Sequence, residues 1–314
     1  MRYKKLGKTG LDVSVITVGT WAIGGANYGA VNEKDSIDAI HTMFDQGVNM
    51  IDTAPAYGYG YGEEVVGRAI KGMRDKVIVA TKGGLDWPED KSEYIFNDSK
   101  EYILADCERS LKRLGTDYID VYIVHWPDPK VSMEETMDAM NTLKKSGKIR
   151  HIGVSNFTKE QIEEASKFAE IGVIQPPYSM VNTSAAGLME WGKQQNLGTM
   201  TYGSLGAGIL TGAIREMPKF DKDDLRLTFY DYYQEPKFSR TMELLKVLDV
   251  YAQKYERPVA QVTINWSTQN PYVDTALMGV RNIQEAMENC AAMDWKLLPE
   301  EIAEINKAVQ KVNQ

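Results

Sequence analysis

Eight short apolar runs, each followed by a stretch of helical periodicity, restrict this chain to very few folds. The runs lie at residues 15–18, 50–51, 77–81, 119–124, 149–154, 173–175, 198–202 and 273–278. Helical patterns occupy 33–46, 63–71, 100–114, 133–143, 159–168, 185–194, 242–253, 259–267, 283–291 and 299–312. Strands separated by a helix pair in parallel, because a hairpin cannot join them. The run IDVYIV at 119–124 is almost continuously apolar, as a strand covered on both faces should be. The pattern predicts a (β/α)8 TIM barrel, one α/β domain over residues 1–314, which is an ordinary length for that architecture. A β-hairpin from 2–6 and 11–13, turned through Gly7 and Gly10, precedes it, and helices close the C-terminus. An open doubly wound sheet competes, but Gly19-Thr20-Trp21-Ala22-Ile23-Gly24 lacks the glycine spacing that such a sheet carries after its first strand.

Three consecutive runs end in reactive side chains. Met50-Ile51 leads to Asp52 and then, past Pro55, to Tyr57 within the stretch NMIDTAPAYGYGYG. Pro55 and the glycines after it stop both helix and central strand. The run 77–81 stops at Lys82 and the run 119–124 at His125. In parallel barrels the carboxyl ends of the strands are where sites are built, so an acid, a phenol, an amine and an imidazole are expected to converge.

The formal net charge of −8 argues against nucleic acid or an anionic membrane as the main partner. Cys107 and Cys290 fall within helical patterns without metal-ligand spacing, and are expected to be reduced core thiols. Met1-Arg2-Tyr3-Lys4-Lys5 is followed by no leader-like apolar stretch, and no run is long enough to cross a bilayer. A cytoplasmic setting is the expectation. His41 and the stripe Met133, Met137, Met140 sit at helical spacing and read as packing residues.

Taken in order, these segments resemble an aldo-keto reductase. They are Gly19-Thr20-Trp21, Ile51-Asp52-Thr53-Ala54 with Tyr57-Gly58, Thr81-Lys82 and His125-Trp126-Pro127-Asp128. Further on come Ile152-Gly153-Val154-Ser155-Asn156-Phe157, Gln175, Tyr202 with Leu205-Gly206, and Met278-Gly279-Val280-Arg281-Asn282. The resemblance covers nearly the whole chain and implies NAD(P)H-dependent interconversion of an aldehyde or ketone with its alcohol. It implies Tyr57 as general acid/base, Lys82 and Asp52 as the pair that tunes it, and His125 as the group that orients the carbonyl. A nearby cation favours a phenolate, and an acid keeps a desolvated ammonium charged, so the chemistry is consistent. The family's tyrosine follows the acid by five residues, which selects Tyr57 over Tyr59 and Tyr61. The hairpin is implied to plug the bottom of the barrel.

The resemblance also implies a nicotinamide site. Ser155, Asn156 and Gln175 would hold the carboxamide and Tyr202 would stack on the ring, with Gly19, Thr20, Trp21 and Asp52 alongside. Gly203, Ser204, Leu205, Gly206, Gly208 and Leu210 would line the pyrophosphate, and Gly279, Arg281, Glu285, Glu288 and Asn289 the adenosine end. Three positions depart from the family pattern: Glu285 where a Gln is frequent, Gly203 for Ser and Ser204 for Pro. Arg281 favours NADPH, while the carboxylate of Glu285 makes NADH the alternative.

A small carbonyl or polyol substrate is expected, in a pocket of Trp21, Tyr57, Tyr59, His125, Trp126, Tyr230 and Tyr232. The aromatic group Phe229, Tyr230, Tyr232 and Tyr233, beside Arg226, Asp231 and Gln234, suits a sugar-like carbonyl if it folds over the site, and is otherwise a packed surface loop. Two other readings compete. A Schiff-base lyase using Lys82 needs a neutral amine, which an acid partner disfavours. A cofactor-sensing subunit, as in the potassium-channel β subunits of this superfamily, would bind nucleotide without turnover.

Overall fold

A computed structural model describes residues 1–25, 32–91, 93–219, 226 and 230–314. The eight barrel strands are β3 (Ile16–Gly19), β4 (Met50–Asp52), β5 (Ile78–Gly83), β8 (Ile119–Val124), β9 (Ile149–Ser155), β10 (Ile171–Gln175), β11 (Gly198–Thr201) and β12 (Thr275–Gly279). They close in the order β10-β11-β12-β3-β4-β5-β8-β9, all in parallel. The predicted (β/α)8 barrel is therefore the observed one.

Several of the helices start where the sequence encodes a side-chain cap. Helix α1 (Glu33–Asp45) is capped by the Asn32 side chain, α3 (Lys100–Leu114) by Ser99 and α4 (Met133–Lys145) by Ser132. Helix α5 (Lys159–Ala165) begins with a capping box of Thr158 and Gln161. The remaining helices are α2 (Tyr61–Ala69), α6 (Ala186–Gln194), α7 (Lys237–Tyr255), α8 (Val259–Gln269), α9 (Ile283–Ala291) and α10 (Pro299–Val312). His41 links α1 to α2, its Nε2 lying 2.7 Å from the Ala69 carbonyl oxygen.

Two helices and strand β10, which begins at Ile171, start earlier than the sequence pattern indicates. Helix α2 begins at Tyr61, with Gly60 in the left-handed region as its N-cap. The alternating glycines hide this start. Helix α7 begins at Lys237, directly after Pro236, one and a half turns before the apolar periodicity becomes regular. Phe229 lies outside the described residues.

Strand alternation divides the buried side chains into two cores. In β8, Tyr122 and Val124 face the helices, whereas Val121 and Ile123 join Met50, Ala80, Val173, Met200 and Leu277 inside the barrel. The bottom of that inner core is closed by Leu6, which is fully buried. It sits between β1 (Tyr3–Lys5) and β2 (Asp12–Ser14), an antiparallel hairpin as predicted. Contact there is so close that a Cβ on Gly7, whose φ is +48°, would lie 2.1 Å from the Gly198 nitrogen. The implied plug is present.

Candidate active site

The inner face continues upward into the site. Asp52, Lys82, His125, Gln175 and Tyr202 each stand two residues beyond an inward-facing apolar residue: Met50, Ala80, Ile123, Val173 and Met200. With a side-chain period of two, the same face that packs the barrel presents these five at its carboxyl mouth. The register pairs Gly19 with Asp52 on one side and with Gly279 on the other.

The four residues expected to converge do so. Lys82 Nζ donates to Asp52 Oδ2 at 2.7 Å, to the Thr53 carbonyl at 3.0 Å and to the Tyr57 hydroxyl oxygen at 3.0 Å. Gln175 Nε2 donates to the other oxygen, Asp52 Oδ1, at 2.7 Å. Asp52 and Lys82 are 0% and 1% exposed, so both charges are desolvated and each depends on its partners. Burial alone would lower the Lys82 ammonium, but Asp52 and Tyr57 outweigh it and hold its pKa above the ordinary lysine value. Burial pushes the Asp52 carboxyl upward, against the pull of Lys82 and Gln175.

The ring of Tyr57 lies between aromatic neighbours. Trp21 stacks with it at 6.2 Å between centroids, and His125 meets it edge-on at 6.1 Å. Burial first, and the Lys82 charge second, hold the His125 imidazolium well below its usual pKa, so the ring is neutral at physiological pH. Thr20 donates through both its backbone nitrogen and its hydroxyl to the Asp52 carbonyl, fixing the strap that carries Trp21.

The ends of the next three strands supply a polar cluster. Asn156, with φ of +62°, donates from Nδ2 to the His125 carbonyl at 3.0 Å and accepts from the Tyr202 hydroxyl at 2.8 Å. Ser155 Oγ donates to the Gln175 carbonyl. Beyond Tyr202, the chain turns through Gly203, Ser204 and Leu205 into a short 3-10 segment, Gly206–Thr211. Gly203, Gly206, Ala207 and Gly208 all have positive φ, which bends the backbone into a concave turn. A Cβ on Gly203, Gly208 or Gly279 would meet nothing within 4 Å, and Ser204 Oγ is buried with no protein partner. Open space over these glycines, beside an unpartnered hydroxyl, fits a dinucleotide phosphate. Leu210 anchors the turn, its carbonyl accepting from Thr263.

At the expected adenosine end, Asn289 Nδ2 donates to the Gly279 carbonyl, and Gln284 donates to Glu288. Arg281 is paired with Glu285, Nη2 to Oε1 at 2.7 Å, and its backbone nitrogen donates to the same carboxylate. The guanidinium on which a 2′-phosphate would rely is thus already shared with a carboxylate.

The residues assigned to the substrate pocket separate into groups. Trp21, Tyr57 and His125 are together, and Trp126 packs against Phe96 at 6.3 Å. Tyr59 turns into a second aromatic group, with Tyr94 at 5.7 Å and Trp87 at 5.4 Å. Trp87 and Tyr94 come from the loop of the small hairpin β6 (Leu85–Asp86) and β7 (Ile95–Phe96), and were not singled out from the sequence. Their only sequence signal is an unusual aromatic density within a polar loop. Tyr230 and Tyr232 stack at 5.0 Å, Tyr232 is only 4% exposed, and Tyr233 donates to the Ala207 carbonyl. That segment is anchored over the glycine-rich turn.

Asp98 was also missed. Its Oδ2 accepts from the Asp128 backbone nitrogen at 2.9 Å, tying the loop that carries His125 and Trp126 to the start of α3. Burial pushes its carboxyl up to about 7.

Comparison with known proteins places this geometry among enzymes. The profile of the Aldo/keto reductase family matches residues 15–310. The aldo-keto reductase YhdN of Bacillus subtilis (strain 168) is 41% identical over 99% of this chain and 94% of its own length. The NADH-specific methylglyoxal reductase of Escherichia coli (strain K12) is 30% identical over 95% of each chain. Among solved structures, the glycerol dehydrogenase AKR11B4 from Gluconobacter oxydans superposes with a TM-score of 0.90 at 31% identity, covering 98% of this chain and 95% of that one.

Proposed function

This chain belongs to the aldo/keto reductase family and is an NAD(P)H-dependent oxidoreductase of carbonyl and alcohol substrates; from that premise we propose how its residues divide the work. A reduced nicotinamide cofactor, when bound, supplies the hydride. Tyr57 gives its phenolic proton to the carbonyl oxygen as negative charge develops there. Lys82, donating to that same phenol oxygen, stabilises the phenolate left behind. Asp52 holds the ammonium in place and is itself held by Gln175. His125, neutral, offers an N–H to the carbonyl oxygen and sets its angle. Ser155, Asn156 and Gln175 hold the carboxamide, Tyr202 supports the ring, and the turn 203–210 takes the pyrophosphate.

The buried chain Asp52–Lys82–Tyr57, with contacts of 2.7 and 3.0 Å, carries this reading. It also disfavours the Schiff-base alternative, since an amine held protonated is a poor nucleophile. Tyr57→Phe is expected to lower kcat for carbonyl reduction by about 10²-fold or more. The dissociation constant for cofactor should stay within about threefold, because the phenol acts on the substrate. Comparable turnover in the variant would end the assignment.

For cofactor, the reading is NADPH through Arg281, with NADH also accepted because Glu285 competes for the guanidinium. A relative named as NADH-specific supports the second half. For substrate, the reading is a short hydroxylated or sugar-like carbonyl and its polyol. Aromatic walls at Trp21 and Trp126 support it, as does the likeness to a glycerol dehydrogenase. Initial rates on glyceraldehyde, dihydroxyacetone, ketoses and plain aliphatic aldehydes with both cofactors test it. Equal kcat/KM for hydroxylated and plain aldehydes would remove the substrate class and leave the mechanism standing.

A further inference from the structure

A cavity of about 450 Å³ is lined by Trp126 and Asn156, neighbours of His125, and by Tyr202, which leads into the glycine-rich turn. Its walls are Trp126, Phe157, Pro177 and Leu188, with Asn156 and Tyr202 at the inner end. It is therefore built from the segments after β8, β9, β10 and β11; Asn156 and Tyr202 are assigned above to the nicotinamide and Trp126 to the substrate wall, while Phe157, Lys159, Pro177 and Leu188 have no role in the mechanism. The volume falls within the range of small-molecule sites, and the lining is mainly apolar with a few polar groups, the usual composition of such sites.

One feature selects the class of occupant. Among the described residues that line the cavity, Lys159 is the single charged side chain. Its ammonium lies 3.7 Å from Glu163 and 5.6 Å from the Trp191 ring centre, and it is about half exposed. An exposed pair of that length is weak, so the cation can turn to a better acceptor. An apolar hollow with one cation at its edge complements a hydrocarbon body carrying one carboxylate.

We propose that this cavity binds a small amphipathic carboxylate, its hydrocarbon between Trp126, Phe157 and Leu188 and its carboxylate on Lys159. The occupant would contact Asn156, the amide that braces the His125 carbonyl and the Tyr202 hydroxyl. It would therefore adjoin the nicotinamide site at Asn156 and Tyr202 and stay outside the tetrad, none of whose residues lines the cavity.

The structure offers a clean way to fill the cavity. Gly187 lines it from the first turn of α6, and a Cβ placed there would meet nothing within 4 Å. Gly187→Leu would add apolar bulk to open space and improve helix propensity, so the variant should fold. The full chain is titrated calorimetrically with 4-phenylbutyrate and with its neutral counterpart 4-phenylbutan-1-ol. The acid is expected to bind the wild type about tenfold more tightly than the alcohol, as a charged hydrogen bond allows. Lys159→Met should erase that difference and leave the alcohol unchanged. Gly187→Leu should weaken both by about tenfold or more, and Tyr57→Phe should alter neither. Absence of binding, equal affinities in the wild type, or wild-type affinity in Gly187→Leu would overturn the proposal. So would loss of acid binding in Tyr57→Phe alone, which would put the acid on the tetrad. No arm reads turnover, so these outcomes are independent of the oxidoreductase reading.

Discussion

Lys82 shows how much a single buried side chain can be asked to do. It donates to a carboxylate, a carbonyl and a phenol at once, and at 1% exposure no water replaces any of them. Lys82→Met keeps the side-chain volume but strands the Asp52 carboxylate, for which a loss of about 3–5 kcal/mol is expected. Asp52→Asn should cost less, because Lys82 retains Thr53 and Tyr57. Denaturant midpoints of the two variants check the order; a Lys82→Met protein as stable as wild type would mean the pair is not buried as seen. Arg281 and Glu285 make the opposite case, an exposed pair whose own strength matters little. Glu285→Gln should release the guanidinium and move the ratio of kcat/KM values toward NADPH by about three- to tenfold. An unchanged ratio would remove Arg281 as the discriminating residue.

At the scale of elements, the site depends on loops that are tied together below it. Asp98, just before α3, clamps the loop after β8 through the Asp128 nitrogen, and Thr136 in α4 donates to its carbonyl. Its second oxygen, Oδ1, has no protein partner and lies under Gly84. A carboxyl that ionises near 4 when unfolded and about 7 when folded binds more protons in the native state between those values. Its contribution therefore makes the fold less stable as pH rises from about 4 to about 7, and stays constant above. Asp98→Asn keeps an acceptor for the Asp128 nitrogen and removes the titration. The stability gap between variant and wild type should widen across that window, by at most a few kcal/mol, and then level off. A gap independent of pH would show that the carboxyl titrates normally. The same hairpin region supplies Trp87 and Tyr94, so one insertion both braces and borders the mouth.

For the whole molecule, two concentric cores share eight strands, and stability rests on packing without covalent cross-links. Cys107 and Cys290 are free, 0% and 5% exposed, and burial pushes both thiols up to about 12. A thiolate reagent should find no reactive cysteine in the native protein and two after denaturation. Rapid labelling of either one under native conditions would contradict this packing. Among the described residues, no helix is long and apolar enough to cross a membrane.

The amino-acid sequence alone determined the barrel and the strand ends that carry Asp52, Lys82 and His125, for one physical reason. A strand buried on both faces is nearly all apolar, so a polar residue at its end is conspicuous, and a period of two fixes which face it joins. That places Asp52, Lys82 and His125 at one mouth, whereas Tyr57, in the loop beyond Asp52, and Gln175 are singled out by the family resemblance. Helix starts hidden by glycine, at Tyr61, or by a preceding proline, at Lys237, were less legible because local backbone geometry set them rather than periodicity. Tertiary structure alone decided the partners: Gln175 on Asp52, Asn156 between His125 and Tyr202, Glu285 on Arg281, and Asp98 on Asp128. These pairs join residues from different loops or choose among several acceptors within reach. Hydrogen-bond directions and burial settle such choices, and both exist only once the chain has closed into the barrel.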